Sequence, residues 1–308
     1  MTRRRLISFL ALLVALSASA CGGSSPAGSS RPIAAPATAI ATAPRVAVTA
    51  SHRDLAYADG ARTLDLYLPS REAPAPLVIW LHGGSWVAGD KVPVPAVALD
   101  LRDRGFAVAS VNYRLTGLST HPAQVHDVKG AIRWLRAHAS EYRFDPARVY
   151  LVGYSAGAHL ASLAALTSGD PTLEGDVGGN VGQSSAVAGV VAYAGPSDIG
   201  RLAGDCAGCE VSEQFKALGC SFLLCGDRAV GASPLTYVKA GAPPFLLLHG
   251  GADRVIPPEQ SRLLDAALRR VGVSSTLIVV ERGEHDLLDR GTSDAAREFL
   301  LRLAGLGR

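Results

Sequence analysis

The 308-residue chain is short of charge: Asp, Glu, Lys and Arg make up 19% of it, and the formal net charge is only +3. That excess sits at one end. Arg3, Arg4 and Arg5 precede Cys21 and no acid does, so removing them from the 30 basic residues leaves 27 against 27 acidic ones. A balanced body offers no electrostatic footprint for nucleic acid, and none is expected as a partner. There is no HExxH pair to hold zinc and no GxGxxG turn after a strand to hold a dinucleotide, and no other metal set stands out. Nor is the chain poor enough in apolar residues to be disordered throughout. At 48% hydrophobic, it can bury the core of one large α/β domain or two small ones.

An apolar run long enough to cross a bilayer is also missing at the start. Leu6–Leu16 is about half of the roughly 20 residues a spanning helix needs. Behind a basic start and ahead of the small residues Ser17-Ala18-Ser19-Ala20, it reads as the core of a signal peptide over residues 1–20. Small residues followed by cysteine resemble a bacterial lipoprotein signal, which makes Cys21 the acylated first residue of the mature chain. The match departs at Ala18, where leucine is usual, and a cleaved leader with an incidental cysteine is the alternative. Residues 21–50 are rich in Gly, Ser, Pro and Ala, with no acid and no aromatic, and read as a disordered tether. A flexible linker of that length reaches on the order of 30 Å. The expected location is therefore the cell envelope, by a lipid anchor alone, or the exterior as a secreted protein. The remaining cysteines, Cys206, Cys209, Cys220 and Cys225, fall in one segment. Outside the membrane such a group favours two disulfides over zinc, with the pairing open.

From residue 51 to 308 the pattern is one domain of alternating strands and helices. Apolar runs at Thr63–Leu68, Leu77–Leu81, Phe106–Val111, Val149–Val152, Val187–Tyr193, Phe245–Leu248 and Thr276–Val280 read as strands, the buried ones nearly continuous as in parallel sheets. Helices are predicted at Val94–Arg104, Gln124–Tyr142, Ala156–Leu166, Pro258–Val271 and Ser293–Leu303, with Val125, Val128, Ile132 and Leu135 making a sheet-facing stripe. This is the pattern of an open, mostly parallel sheet covered on both faces. A Gly- and Cys-rich insertion over about 200–232 interrupts it and is expected at the surface.

Gly153-Tyr154-Ser155-Ala156-Gly157 follows the strand VYLV and opens an apolar helix. In that context G-x-S-x-G is a nucleophile elbow, whose glycines allow strand and helix to crowd around a strained serine. His82-Gly83-Gly84-Ser85-Trp86 follows LVIWL directly. Acyl transfer needs backbone N–H donors aimed at the oxygen that becomes charged, and the donors offered here are Gly84, Ser85 and Ala156. Ser85 stands where HGGG-type loops carry a third glycine.

HGGSW, the stretch HPAQVHDVKGAIRWLRAHASEYRFDPARVYLVGYSAGAHLA and HGGADRVIPPEQS together resemble an α/β-hydrolase of the esterase/lipase group. The pattern is similar to hormone-sensitive-lipase-like and feruloyl or acetyl-xylan esterase-like enzymes, with kynurenine formamidase-like enzymes nearby. The resemblance covers roughly residues 55–305. It implies an eight-stranded, mostly parallel sheet, a Ser–Asp–His triad and no cofactor. The family's acid position, after the strand FLLLHG, falls on Asp253, and its histidine position, in the loop after the last strand, falls on His285. The order Ser, acid, His agrees. Asp198 after the preceding strand is a rival acid. Glu284 and Asp286 read as solvated neighbours, His249, His126 and His159 as packing or hydrogen-bonding residues, and Asp127 and Lys129 as a solvated face or a local brace.

The expected activity is hydrolysis of carboxylic esters through an acyl-enzyme on Ser155. Export and the absence of an obvious long lid point to small or polymer-linked substrates carrying acetyl or feruloyl groups. The alternatives are a lipase-like acylhydrolase of longer chains and a non-catalytic surface module on the same fold.

Overall fold

The computed structural model describes residues 49–71, 73–205, 216–220 and 225–307. The signal peptide, Cys21 and nearly all of the tether lie outside the described residues, as do Cys206 and Cys209. Eight strands form one sheet in the order β1-β2-β4-β3-β5-β6-β7-β8. They are β1 (His52–Ala56), β2 (Thr63–Tyr67), β3 (Ala75–Leu81), β4 (Ala107–Val111), β5 (Phe144–Tyr154), β6 (Gly189–Tyr193), β7 (Phe245–Gly250) and β8 (Ser275–Val280). β2 runs antiparallel to both β1 and β4, and every other neighbouring pair is parallel. This is the α/β-hydrolase fold.

The sheet's two faces carry two cores. Leu77, Ile79 and Leu81 of β3 point to one face, and Val78 and Trp80 to the other. The first face is covered by α2 (Ala123–Ala137), α3 (Ala156–Leu166) and α7 (Glu259–Arg270), and the second by α1 (Ala96–Asp103) and α8 (Arg290–Leu303). Each wholly buried aliphatic side chain contributes about 1.5–3 kcal/mol over leaving it in water. In α3 every residue is buried, so the helix is apolar nearly all round and lies inside the protein. In α7 only Gln260, Ser261, Leu264 and Leu268 are buried, a stripe at helical spacing.

The structure corrects several sequence expectations. β1 was not foreseen, because HRDLA is largely exposed on the sheet's edge and carries no apolar run. α2 ends at Ala137, five residues before the predicted Tyr142. Asp127 and Lys129 are not a solvated face; both are wholly buried braces. Asp127 accepts bonds from the backbone N–H and the guanidinium of Arg114. Lys129 Nζ donates to the Thr167 carbonyl at 2.6 Å and to Glu174 at 3.0 Å, and Arg133 donates to the same carboxylate at 2.9 Å. Glu174 closes the short helix α4 (Pro171–Glu174), so these bonds pin the 169–185 connection to α2.

The insertion is not merely a surface feature. It contains α5 (Ile199–Asp205) and α6 (Gly226–Ala232), and Leu202, Ala217, Leu218, Cys225, Ala229 and Ala232 are all buried. A disulfide joins Cys220 to Cys225 with the Cα atoms 5.5 Å apart.

Candidate active site

β5 ends at Tyr154 and α3 begins at Ala156, so Ser155 alone makes the turn. Its backbone takes φ 54° and ψ −118°, a conformation that L-residues avoid and that persists only where the surroundings enforce it. The enforcement is visible at the flanking glycines. A Cβ on Gly157 would stand 2.1 Å from the Leu81 carbonyl oxygen, and one on Gly153 would stand 2.3 Å from the Gly157 oxygen. Strand, elbow and helix therefore close only with glycine at both positions. The Ser155 N–H donates to the Tyr193 carbonyl at 2.8 Å, fixing the elbow to β6.

Ser155 Oγ donates to His285 Nε2 at 3.0 Å, and His285 Nδ1 donates to Asp253 Oδ2 at 2.7 Å. The loops that deliver the last two groups are tied together: Gly251 N–H donates to the Val280 carbonyl at 2.7 Å and Ala252 N–H to the Gly283 carbonyl at 2.9 Å. Asp253 Oδ1 accepts from the backbone N–H groups of Val255 and Ile256 at 2.8 and 2.9 Å. Burial alone pushes the Asp253 carboxyl up. Hydrogen bonds from His249, His285 and the Ile256 N–H, with the charge of His285, outweigh it and hold the group well below the usual carboxylate range. The third member of the set thus stays an anion where it faces the imidazole.

The rival acid goes elsewhere. Asp198 Oδ1 accepts from the Arg201 N–H, capping α5, while its own N–H donates to Gln260. Glu284 and Asp286 are exposed, as expected. His126 Nε2 lies 3.2 Å from the Thr172 carbonyl and takes no part in the site.

The loop 82–89 folds back beside the elbow with three consecutive positive φ angles, at Gly84, Ser85 and Trp86. The Gly84 carbonyl accepts from the N–H groups of Val87 and Ala88, both at 3.0 Å. Among the described residues, the N–H groups of Gly84, Ser85 and Ala156 donate to no backbone carbonyl. Two anchors hold this loop that sequence reasoning did not assign. Tyr113 Oη donates to the His82 carbonyl at 2.8 Å, and its ring stacks on the His82 imidazole. Trp86 Nε1 donates to His159 Nδ1 at 3.3 Å, and His159 Nε2 donates to the Ala232 carbonyl at 2.7 Å. His159 lies one turn past Ser155, so its position relative to the elbow was the available signal.

What this geometry can do is polarise the Ser155 hydroxyl toward an imidazole whose far nitrogen is held by a carboxylate, beside backbone donors. Among the described residues, no group of three or more His, Cys, Asp or Glu is arranged to hold a metal ion, and no helix is long and apolar enough to cross a membrane.

Residues 64–268 match the BD-FAE family profile. The chain is 32% identical over 270 residues to the esterase LipQ of Mycobacterium tuberculosis, an alignment covering 80% of this chain and 61% of that protein. Two solved structures superpose with a TM-score of 0.78. One is a truncated carbohydrate esterase from gut microbiota, 28% identical, covering 84% of this chain and 98% of that one. The other is a bifunctional GH43-CE protein of Bacteroides eggerthii, 35% identical, covering 82% of this chain and 38% of that one. The chain spans about half to three-fifths of the curated relatives it matches first.

Proposed function

This chain belongs to the BD-FAE family, and from that premise we propose that it is a serine carboxylic-ester hydrolase acting on short-acyl or carbohydrate-linked esters. The observation that carries the reading is the unbroken chain of hydrogen bonds from Ser155 through His285 to Asp253, set on a strained elbow. In this reading His285 takes the Ser155 proton as Oγ attacks the ester carbonyl, and the Gly84, Ser85 and Ala156 N–H groups receive the developing oxyanion. The alkoxide leaves with the proton from His285. Water then attacks the acyl-enzyme with His285 as base, and Asp253 stabilises each imidazolium that forms. No cofactor enters these steps.

Short or carbohydrate-linked acyl groups are favoured by the likeness to the gut-microbial carbohydrate esterase, which extends over 98% of that chain. The lipoprotein-like leader of residues 1–20, ahead of Cys21, supports a place in the cell envelope or outside the cell, where polymeric esters are met. The Cys220–Cys225 disulfide is consistent with an oxidising compartment.

The test is turnover of p-nitrophenyl acetate, butyrate, octanoate and palmitate, with methyl ferulate and acetylated xylan, by the wild type and Ser155→Ala. Short esters and the polysaccharide or ferulate esters should turn over, and Ser155→Ala should lose about 10⁴-fold or more. Dominance of octanoate and palmitate would replace this reading with a lipase-like acylhydrolase. A folded protein that turns over nothing and resists fluorophosphonate labelling would leave only a binding module.

A further inference from the structure

Asp253 has a second histidine partner besides the one that the proposed triad uses. His249 is the penultimate residue of β7, and its side chain and that of Asp253 are both wholly buried. Its Nε2 lies 2.8 Å from the Ile256 carbonyl oxygen and 3.3 Å from Asp253 Oδ2, the same oxygen that takes the His285 bond. Its Nδ1 lies 2.6 Å from Ser261 Oγ in the first turn of α7.

These contacts settle the tautomer. Two acceptors face Nε2, and a lone pair there would be repelled by both, so the proton is on Nε2. In the neutral imidazole Nδ1 is then the acceptor and Ser261 Oγ–H the donor. Three N–H groups bond the carboxylate directly, Val255 and Ile256 on Oδ1 and His285 on Oδ2, and the His249 Nε2–H, shared with the nearer Ile256 carbonyl, faces Oδ2 as a longer fourth contact at 3.3 Å. A buried carboxylate with one donor removed swings toward its remaining partners, and the oxygen most affected is the one facing His285.

Resting on the serine-hydrolase reading of the site, we propose that His249 is a positioning residue that acts through Asp253, aiming Oδ2 at His285. Ser261 belongs to the same device, because its hydroxyl keeps the His249 proton on the side of the carboxylate. The chain Ser261–His249–Asp253–His285–Ser155 thus runs from α7 to the nucleophile.

The test measures kcat and KM for p-nitrophenyl acetate in the full mature chain, with the melting temperature followed in parallel. His249→Phe keeps the bulk and removes the donor, and it should lower kcat about tenfold with KM unchanged. His249→Gln restores an N–H and should recover most of that loss. In an Asp253→Asn background, adding His249→Phe should change kcat by less than twofold, because the residue it acts through is already disabled. If His249→Phe does not fold, Ser261→Ala should still lower kcat about threefold at constant KM. An undiminished kcat in His249→Phe, or the same tenfold loss repeated in the Asp253→Asn background, overturns the proposal. Full activity in both Ser155→Ala and Asp253→Asn would instead overturn the serine-hydrolase reading on which it rests.

Discussion

Two histidines behind the loop 82–89, His159 buried and His121 partly buried, should make the stability of this protein fall in mild acid. Burial pushes His159 down to about 4 from an ordinary 6.5, against the opposing bond to the Ala232 carbonyl. Burial also pushes His121 down to about 4, helped by repulsion from His159 and His126 and opposed by the Gly231 backbone. The two rings line one small cavity of about 10 Å³ with Trp86, Leu218 and Ala232. Protonating His159 also sets an N–H on Nδ1 against the Trp86 Nε1–H that now donates to it.

Both folded values lie below 6.5, so the unfolded chain takes up protons that the folded chain refuses. The stability tied to these rings is therefore fully present above about pH 6.5 and is lost as pH falls toward about 4. At about 1.4 kcal/mol per pH unit for each ring, the loss reaches about 3 kcal/mol per ring at pH 4. Set against a total of about 5–15 kcal/mol for an ordinary domain, two such rings bring unfolding within reach. Urea unfolding followed by circular dichroism at half-unit steps should show stability falling by about 2 kcal/mol per pH unit between pH 6 and 4.5. His121→Asn and His159→Gln should each roughly halve that slope, whatever they do to stability at pH 7. A flat profile in the wild type, or an unchanged slope in both variants, refutes the reasoning.

Two more substitutions test the packing that positions the site. Gly157→Ala forces a Cβ to 2.1 Å from the Leu81 carbonyl oxygen, so the elbow cannot close. It should lower the melting temperature and abolish fluorophosphonate labelling of Ser155, and normal labelling would show that the elbow tolerates the side chain. Glu174→Ala leaves Lys129 and Arg133 buried without their shared carboxylate. Allowing for the 26% exposure of Glu174, the loss should be about 2 kcal/mol by urea unfolding, with KM unchanged, and a neutral effect would mean the two cations find water.

Much of the site was legible because its constraints are local. An elbow needs its glycines two residues from the nucleophile, and a donor loop needs to follow the strand beside it, so both leave short, contiguous signatures. The order of Ser155, Asp253 and His285 was legible for the same reason: each group sits just after a strand, and strands that are buried on both faces read as apolar runs. β1 escaped because an edge strand is only half-paired and need not be apolar. For Asp127 and Lys129 the sequence left a solvated face and a local brace both open, because helical periodicity assigns charge to the outside and the partners that make them braces, Arg114, Thr167 and Glu174, lie outside the helix.

The contacts that hold the reactive groups in place are of another kind. His159 meets Trp86 across 73 residues of sequence and His285 meets Ser155 across 130, and even at the elbow only the crowding of Gly153 against Gly157 is local, while Gly157 meets Leu81 of β3. For His285 the family pattern stood in for the missing third dimension, and it placed Asp253 ahead of Asp198, whose carboxylate turns out to cap α5. For His249 and His159 no such pattern was read, and a histidine on a strand end or an apolar helix is chemically silent until its two nitrogens are matched to partners. That matching separates a packing residue from one that steers a carboxylate or braces a donor loop. In this protein both histidines have each nitrogen taken, one through Asp253 and one through Trp86. Two buried imidazoles that make no side-chain hydrogen bond to Ser155 thus each hold a group on which the proposed chemistry depends, His249 the Asp253 carboxylate and His159 the Trp86 end of the donor loop.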